Sequence, residues 1–529
     1  MRRYEADGDN DSGTDGGGAV PAVTANEERA WWEAPWFLAL VVVATTIPLL
    51  YPPIPPLVDL LGHMGRYRVE LDLAQSPWLQ RYYDYHWAAI GNLGVDLLIK
   101  ALAPLIGLEP AVKLIIVTIP PLTAAGFLWV AKEVHGRIPP TAFFAIPFIY
   151  GHPFLFGFAN FALSMALAFL AFGLWLHLGQ KDKARLRAWL FVPISVIIFF
   201  CHTYGWGALG LLCFSGEAVR QHDRGMRWWT AAVRAALHAS VMALPIGIML
   251  AWRSETHGGS TGDWFNWEAK FFWLKMALRD RWQDYDIASV GVAVLVLIEA
   301  LRNRRLTFSR NLAFSGLVLV AGFIILPRII FGSAYADMRL APYMIATLLL
   351  AIRFSGATLP RFGTWLAAAG ILFCLVRLGG NVISLVAASN DQQAKLTALD
   401  RVPRGARVVT MVQLPCRDAW ALPRNSHLGA MVIVRREGFS NDQWVIEGTN
   451  LLDLKYQEAG FFASDPSQIV RPNECPEALH LTIDRALSTL PRDDFDYLWL
   501  LDPPPYDPKL VGDLQPVWRQ GTSILYRLH

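Results

Sequence analysis

Long apolar runs separated by short polar connections dominate the chain from Trp36 to about residue 387. They fall near 36–51, 112–131, 141–157, 160–178, 188–202, 204–219, 231–252, 286–301, 311–327, 340–354 and 363–387. A bilayer core takes roughly 20 helical residues, and runs of this kind predict an all-α polytopic membrane protein of about 11 transmembrane helices. One more stretch, "WAAIGNLGVDLLIKALAPLIGL" at 87–108, is apolar enough to cross. Asp96 and Lys100 lie one helical turn apart at its centre, where each costs a few kcal/mol unless paired or solvated. This stretch is therefore expected as a juxtamembrane helix on the outer surface.

A second pattern follows the first run, in "YPPIPPLVDLLGHMGRYRVEL" at 51–71. Leu57, Leu60, Leu61, Met64, Tyr67 and Leu71 recur at helical spacing and make one apolar stripe. Asp59, His63, Arg66 and Glu70 recur at the same spacing on the other side. The chain is thus expected to leave the membrane and build at once an amphipathic helix whose polar ridge starts with a carboxylate and an imidazole.

From about Asn390 the pattern changes again. Runs such as "ARVVTMV", "FDYLWLL" and "TSILYRLH" cluster β-formers between Pro- and Asp-rich turns. Residues 390–529 read as a small C-terminal α/β domain. Residues 1–30, rich in Gly and Asp, read as a disordered tail. Between them, 31–389 forms the multi-span domain, with large outer loops at 52–111 and 253–285.

Composition supports the membrane class, with 54% hydrophobic residues, 21 Trp and a mean hydropathy of +0.32. The net charge of +3 informs only loop by loop, and nothing in the chain calls for a nucleic-acid partner. Basic residues gather in four connections: Lys132 and Arg137; Lys181, Lys183, Arg185 and Arg187; Arg220, Arg224 and Arg227; and Arg302, Arg304 and Arg305. The positive-inside rule puts these in the cytoplasm. The N-terminus is then cytoplasmic, and the C-terminal domain is extracytoplasmic on a bacterial-type inner membrane. The first apolar run lacks a small-residue cleavage site and is expected to stay as an anchor. Cys416 and Cys475 share the outer tail, where a bridge and two free thiols are both open readings.

With that topology, chemistry-bearing residues gather on the outer face. Asp59 stands at the opening of the first outer loop, where a partly buried carboxylate can act as a base, with His63 one turn later. "RIIFGSAYADMRLAPY" at 328–343 supplies Arg328 and Arg339, whose planar forks suit a phosphate. Asp84, His86, His202, Asp263 and Trp264 are candidates for an acceptor site or cavity wall, the last two within the Gly-rich loop "SETHGGSTGDWFNWE" at 254–268. No CxxC or HExxH spacing occurs. No cofactor is expected, and nothing supports a divalent metal.

The order of these parts resembles the C-type glycosyltransferase superfamily, multi-span enzymes that use polyprenyl-phosphate-linked sugars. "PPLVDLLGHMGRY" is similar to the loop opening of such enzymes, with Asp59 at the acidic position. The 87–108 stretch is similar to their juxtamembrane helix, and "ADMRLAPY" to their late donor-phosphate contact. An adjacent Asp-Glu pair is absent from the loop opening, and "DYD" at 284–286 is the one candidate Asp-x-Asp. The resemblance implies a glycosyltransferase of the hexosyltransferase type. Its partners would be membrane lipids and a polyprenyl-phosphate-sugar donor, with transfer to an acceptor on the outer face. Two rival readings use the same residues: a transporter or flippase for a lipid-linked or anionic substrate, and a non-catalytic membrane scaffold.

Overall fold

The computed structural model describes residues 30–253, 260–330, 332–356, 360–416, 419–445, 450–476 and 480–529. Residues 1–29, nearly all of the expected disordered tail, and 254–259 of the Gly-rich loop lie outside the described residues.

The apolar runs fold as helices. Among the described residues four are long and apolar enough to cross a membrane: Leu108–His135, Ala159–Gln180, Ala184–Cys201 and Pro360–Arg401. A pair bent by 57°, Trp228–Met242 and Leu244–Ala251, makes a possible fifth. Three shorter apolar helices, Pro35–Ala44, Arg310–Ile325 and Met338–Leu350, join them. The runs near 204–219 and 286–301 are the helices Thr203–Asp223 and Gln283–Arg302. Residues 141–157, expected as one span, instead form a 3-10 helix, Pro140–Tyr150, and a short helix, His152–Phe156. Every side chain of the first piece is buried. Pro147 lies inside it and lacks the N–H that a regular α-helix would use there.

The 87–108 stretch forms the helix Gly94–Ile106, which ends at Gly107 and turns directly into Leu108–His135. Its 13 residues span about 20 Å, short of the roughly 30 Å hydrocarbon core. Val95, Ile99 and Ala103 face inward while Leu97, Leu98, Leu105 and Ile106 stay exposed. Asp96 does not pair with Lys100. It is fully buried against Arg66, with nitrogen and oxygen 2.6 Å apart, while Lys100 sits over the Trp87 ring.

The tail is an α/β unit around a seven-stranded mixed sheet. Its central strand, Arg407–Gln413, pairs in parallel with Tyr497–Leu501 on one side and with Ile469–Arg471 and Phe439–Ser440 on the other. Ser523–Arg527 and Gln515–Gln520 extend the sheet antiparallel. Cys416 and Cys475 are bonded, joining the end of the central strand to the loop after Ile469–Arg471. The helix Pro360–Leu396 runs unbroken through residue 390, so membrane bundle and tail share one rod. The loop after the first apolar run is also part of the tail. Strand Tyr83–Tyr85 pairs with Leu452–Leu454, and Val69, Leu79, Tyr82 and Tyr83 enter the core formed by Val409, Phe439 and Leu498. A further two-stranded pair, Leu306–Phe308 with Ile352–Phe354, joins two connections of the helical part, a departure from the all-α expectation.

Candidate active site

The helix Leu60–Asp72 explains the double pattern at 51–71. Its apolar stripe is buried from Leu57 to Tyr67, with Leu71 half-buried, but on the polar ridge Arg66 is buried too and His63 half-buried. The ridge is covered by the tail, whose 441–444 segment lies directly on it. Gly62 permits that approach, since a Cβ there would stand 2.5 Å from the Trp444 ring.

Asp59 occupies the N-terminal cap position of this helix. Its own N–H donates to the Phe156 carbonyl at 2.9 Å. The partner turn passes through Gly157 at φ +101°, where a Cβ would meet the Asp59 nitrogen at 2.7 Å. A side chain at 157 is thus excluded by both conformation and space. The Asp59 carboxylate is nearly buried, and among the described residues the one basic side chain within 4 Å is His427, Nε2 to Oδ1 at 3.9 Å. Burial pushes its pKa well above the ordinary carboxylate value, Asp465 pushes the same way, and Arg339 pulls it back.

His427 is set by the tail. Its Nδ1 lies 3.2 Å from the Asp442 carbonyl, and its ring packs on Trp444 at 4.4 Å between centroids. An Nδ1–H donated to that carbonyl leaves the Nε2 lone pair facing Asp59. Burial lowers the pKa of His427 while that of Asp59 is raised. At 3.9 Å the two groups stand beyond direct hydrogen-bond distance, with room for an acceptor hydroxyl to approach between them. Asp442, with its carboxyl pushed up to about 7 by burial, closes the far side. His63 also packs on Trp444, at 5.0 Å, and burial together with Arg66 and His427 lowers its pKa well below the ordinary imidazole value. The imidazole that meets Asp59 is therefore His427, which sequence reasoning missed. Its only signal was a histidine directly before the apolar run "LGAMVIV".

Charge pairing sorts the remaining candidates. Asp96 holds Arg66, Asp263 holds Arg328 at 3.3 Å, and Asp280 holds Arg424. Asp286 holds Arg377 at 2.8 Å, and Asp337 holds Lys270 at 3.1 Å. Much of the outer clustering of acids is thus structural pairing. Asp286 of the "DYD" triplet is spent in the same way. Arg339 is different. It is 7% exposed, and among the described residues it has no carboxylate within ion-pair distance. Its guanidinium lies over Phe158 at 4.4 Å and Tyr204 at 5.4 Å, and donates to the Ser333 hydroxyl at 3.3 Å. Asp337 also accepts from the Met338 N–H, and Lys270 binds the Phe323 and Leu326 carbonyls at 2.8 Å each. Together they fix the turn that presents Arg339.

Arg339 and His202 line one cleft of about 650 Å³, together with Thr203, Tyr204, Ser333 and Asn92. His202 caps the helix Thr203–Asp223 by accepting from the Tyr204 N–H. Asp84 and His86 lie elsewhere. Asp84 lines a separate surface hollow with Glu70, which is 11 residues and about 16 Å along the helix from Asp59. His86 pairs with Asp453 in the open. Trp264 is exposed, and Arg328 is engaged by Asp263 beside the backbone bridge between Gly262 and Ile329, outside the lining of the cleft. Among the described residues no three His, Cys, Asp or Glu side chains converge as a metal site.

No protein-family model matches the chain, and no curated protein sequence does. A solved structure is similar along nearly all of it. This is the crystal structure of ArnT from Cupriavidus metallidurans bound to undecaprenyl phosphate. The likeness has a TM-score of 0.47 at 10% identity, covering 93% of this chain and 97% of that one.

Proposed function

We propose that this protein is an integral membrane glycosyltransferase that moves a sugar from a polyprenyl-phosphate-linked donor to an acceptor hydroxyl. In this reading the chain crosses an inner membrane about 11 times. The N-terminus lies in the cytoplasm, and Asp59, the cleft and the tail lie outside. The observation that carries the proposal is a buried pair of opposite, unmatched groups. Among the described residues Arg339 has no carboxylate within ion-pair distance, and the one ionisable partner within 4 Å of Asp59 is the His427 imidazole, while Asp59 and Arg339 feel each other's charge. A buried arginine left alone is costly, and a phosphate supplies what it lacks.

In the reaction the acceptor oxygen attacks the anomeric carbon while the bond from that carbon to the phosphate oxygen breaks. Asp59, backed by His427, takes the hydroxyl proton. The electron pair leaves with the polyprenyl phosphate, whose growing charge Arg339 stabilises in a cleft walled by aromatic rings. A transporter would use charges spread along a path near the membrane midplane, whereas Asp59 and Arg339 lie close enough to act on each other's charge, although Asp59 is not part of the wall of the Arg339 cleft.

The test is transfer from a radiolabelled polyprenyl-phosphate sugar in reconstituted membranes. Asp59→Asn keeps the shape and removes the proton acceptor, and transfer is expected to fall by a factor of about 10² to 10⁴. Wild-type rates from that variant would remove Asp59 from the mechanism. No transfer by the unaltered protein across a panel of donors would favour the transporter or the scaffold.

A further inference from the structure

At the opposite end of the helical bundle lies a second cavity that the proposed reaction does not use. The helix Thr203–Asp223 connects the two places. Tyr204 lines the cleft of Arg339, and Arg220, 16 residues on and about 24 Å away, lines this second pocket. The ends of five helices stand around it, and it is open to solvent on one side. Three of its walls are arginines, Arg187, Arg220 and Arg224.

Glu217 serves the inner two. Arg187 donates to it at 2.9 Å and Arg220 grips it with two nitrogens, at 2.6 and 3.0 Å. Arg187 is almost fully buried and lies over the Trp175 ring at 3.8 Å. At the mouth the arrangement is looser. A single oxygen of Asp182 is shared by Arg220 and Arg224, and the Asp182 side chain is 69% exposed. Trp175, also in the wall, is about 1% exposed, and its indole N–H finds no acceptor among the described residues. Such a cavity has guanidinium forks at its mouth and a buried N–H donor without a partner. The Asn311 amide oxygen in the same wall is also without a partner, so the ligand that fits is an acceptor-rich anion that also carries a hydroxyl. Trp189 and Trp229, both about 80% exposed, stand on neighbouring helices in the manner of rings at a membrane surface.

We infer that this pocket binds a phosphate-bearing anion, with a phospholipid headgroup as the source that its position between helix ends favours. Asp182 acts as the stand-in counter-ion that the phosphate displaces from Arg224 and Arg220. The site is independent of Asp59 and Arg339, so it stands or falls without any assay of transfer.

The experiment is titration of the full chain, purified in a neutral detergent, with phosphatidylglycerol, with phosphatidylcholine and with inorganic phosphate. Bound ligand is read by native mass spectrometry and by calorimetry. Phosphatidylglycerol is expected to bind saturably and in preference to phosphatidylcholine. Arg224→Gln, on a half-exposed side chain, is expected to weaken binding by roughly tenfold. Asp182→Asn is expected to strengthen it, because it removes the competing carboxylate. The same pair of opposite changes seen with inorganic phosphate, without preference between the lipids, would assign the site to a soluble phosphate. Binding of every anion left unchanged by both substitutions, or no binding at all, would overturn the inference.

Discussion

Breaking the buried pair between Arg66 and Asp96 tests how the loop helix is held to the bundle. The two side chains are 5% and 1% exposed, with nitrogen and oxygen 2.6 Å apart. Asn160 adds a hydrogen bond to the other Asp96 oxygen at 3.0 Å, and Arg66 reaches Asn450 of the tail at 3.4 Å. Arg66→Met leaves the carboxylate buried with one amide donor, a loss of about 3–5 kcal/mol. With an unfolding entropy of about 2.1 cal/mol/K per residue over 529 residues, each kcal/mol moves the unfolding midpoint by about 1 °C, so it falls by about 3–5 °C. Adding Asp96→Leu removes the stranded charge, and the double variant is expected to recover most of the loss. The assay is thermal unfolding of the purified protein in detergent, with all four members of the cycle under one condition. A single Arg66→Met variant as stable as the starting protein, or a double variant no better than the single, would refute the argument that Asp96 depends on Arg66.

Other expectations follow from the site. Asp465→Asn removes a charge that raises the pKa of Asp59, so the acid limb of the transfer rate should move to lower pH; an unmoved or upward-shifted limb would count against Asp59 as the base. Gly157→Ala puts a Cβ against the Asp59 nitrogen at a positive φ, and should cost about 1–3 kcal/mol while reducing transfer at least tenfold by about the same energy, measured by unfolding and by rate. Cys416→Ser opens a loop closed over a sequence separation of 59, which chain entropy puts at about 4 kcal/mol, and comparison of oxidised, reduced and variant protein by thermal unfolding checks it.

The strong periodicities were legible in the sequence because they reflect local rules. The apolar runs became helices, and the stripe at Leu57, Leu60, Leu61, Met64 and Tyr67 became a buried face. The tail sheet followed from its β-forming runs. Asp59 and Arg339 were both visible as isolated charges at the ends of apolar runs, and each lies close enough for its charge to act on the other. What was illegible depends on contacts between distant segments. The polar ridge of Leu60–Asp72 looked like a solvated face and is instead a floor for the tail, since no local pattern reveals that Gly62 receives Trp444. The pairing of Asp280, Asp286 and Asp337 was hidden because their partners Arg424, Arg377 and Lys270 lie 144, 91 and 67 positions away. The 3-10 segment at Pro140–Tyr150 shows the same limit on backbone geometry. Its apolarity was plain, but its helical type is set by Pro147 and by packing on every side.

The contact between the tail and the Pro-rich exit from the first apolar run carries a consequence for biogenesis. Arg424 donates to the Pro56 carbonyl across 368 positions, three residues from Asp59, and His427 arrives with it. At about 5–20 residues per second, a ribosome needs roughly 20–70 s to make the intervening chain. Through that interval Asp59 has already emerged while the imidazole it faces has not been synthesised. The nascent protein therefore passes through insertion inert, and competence arrives late, in one step, when the last-made domain settles on the first-made loop.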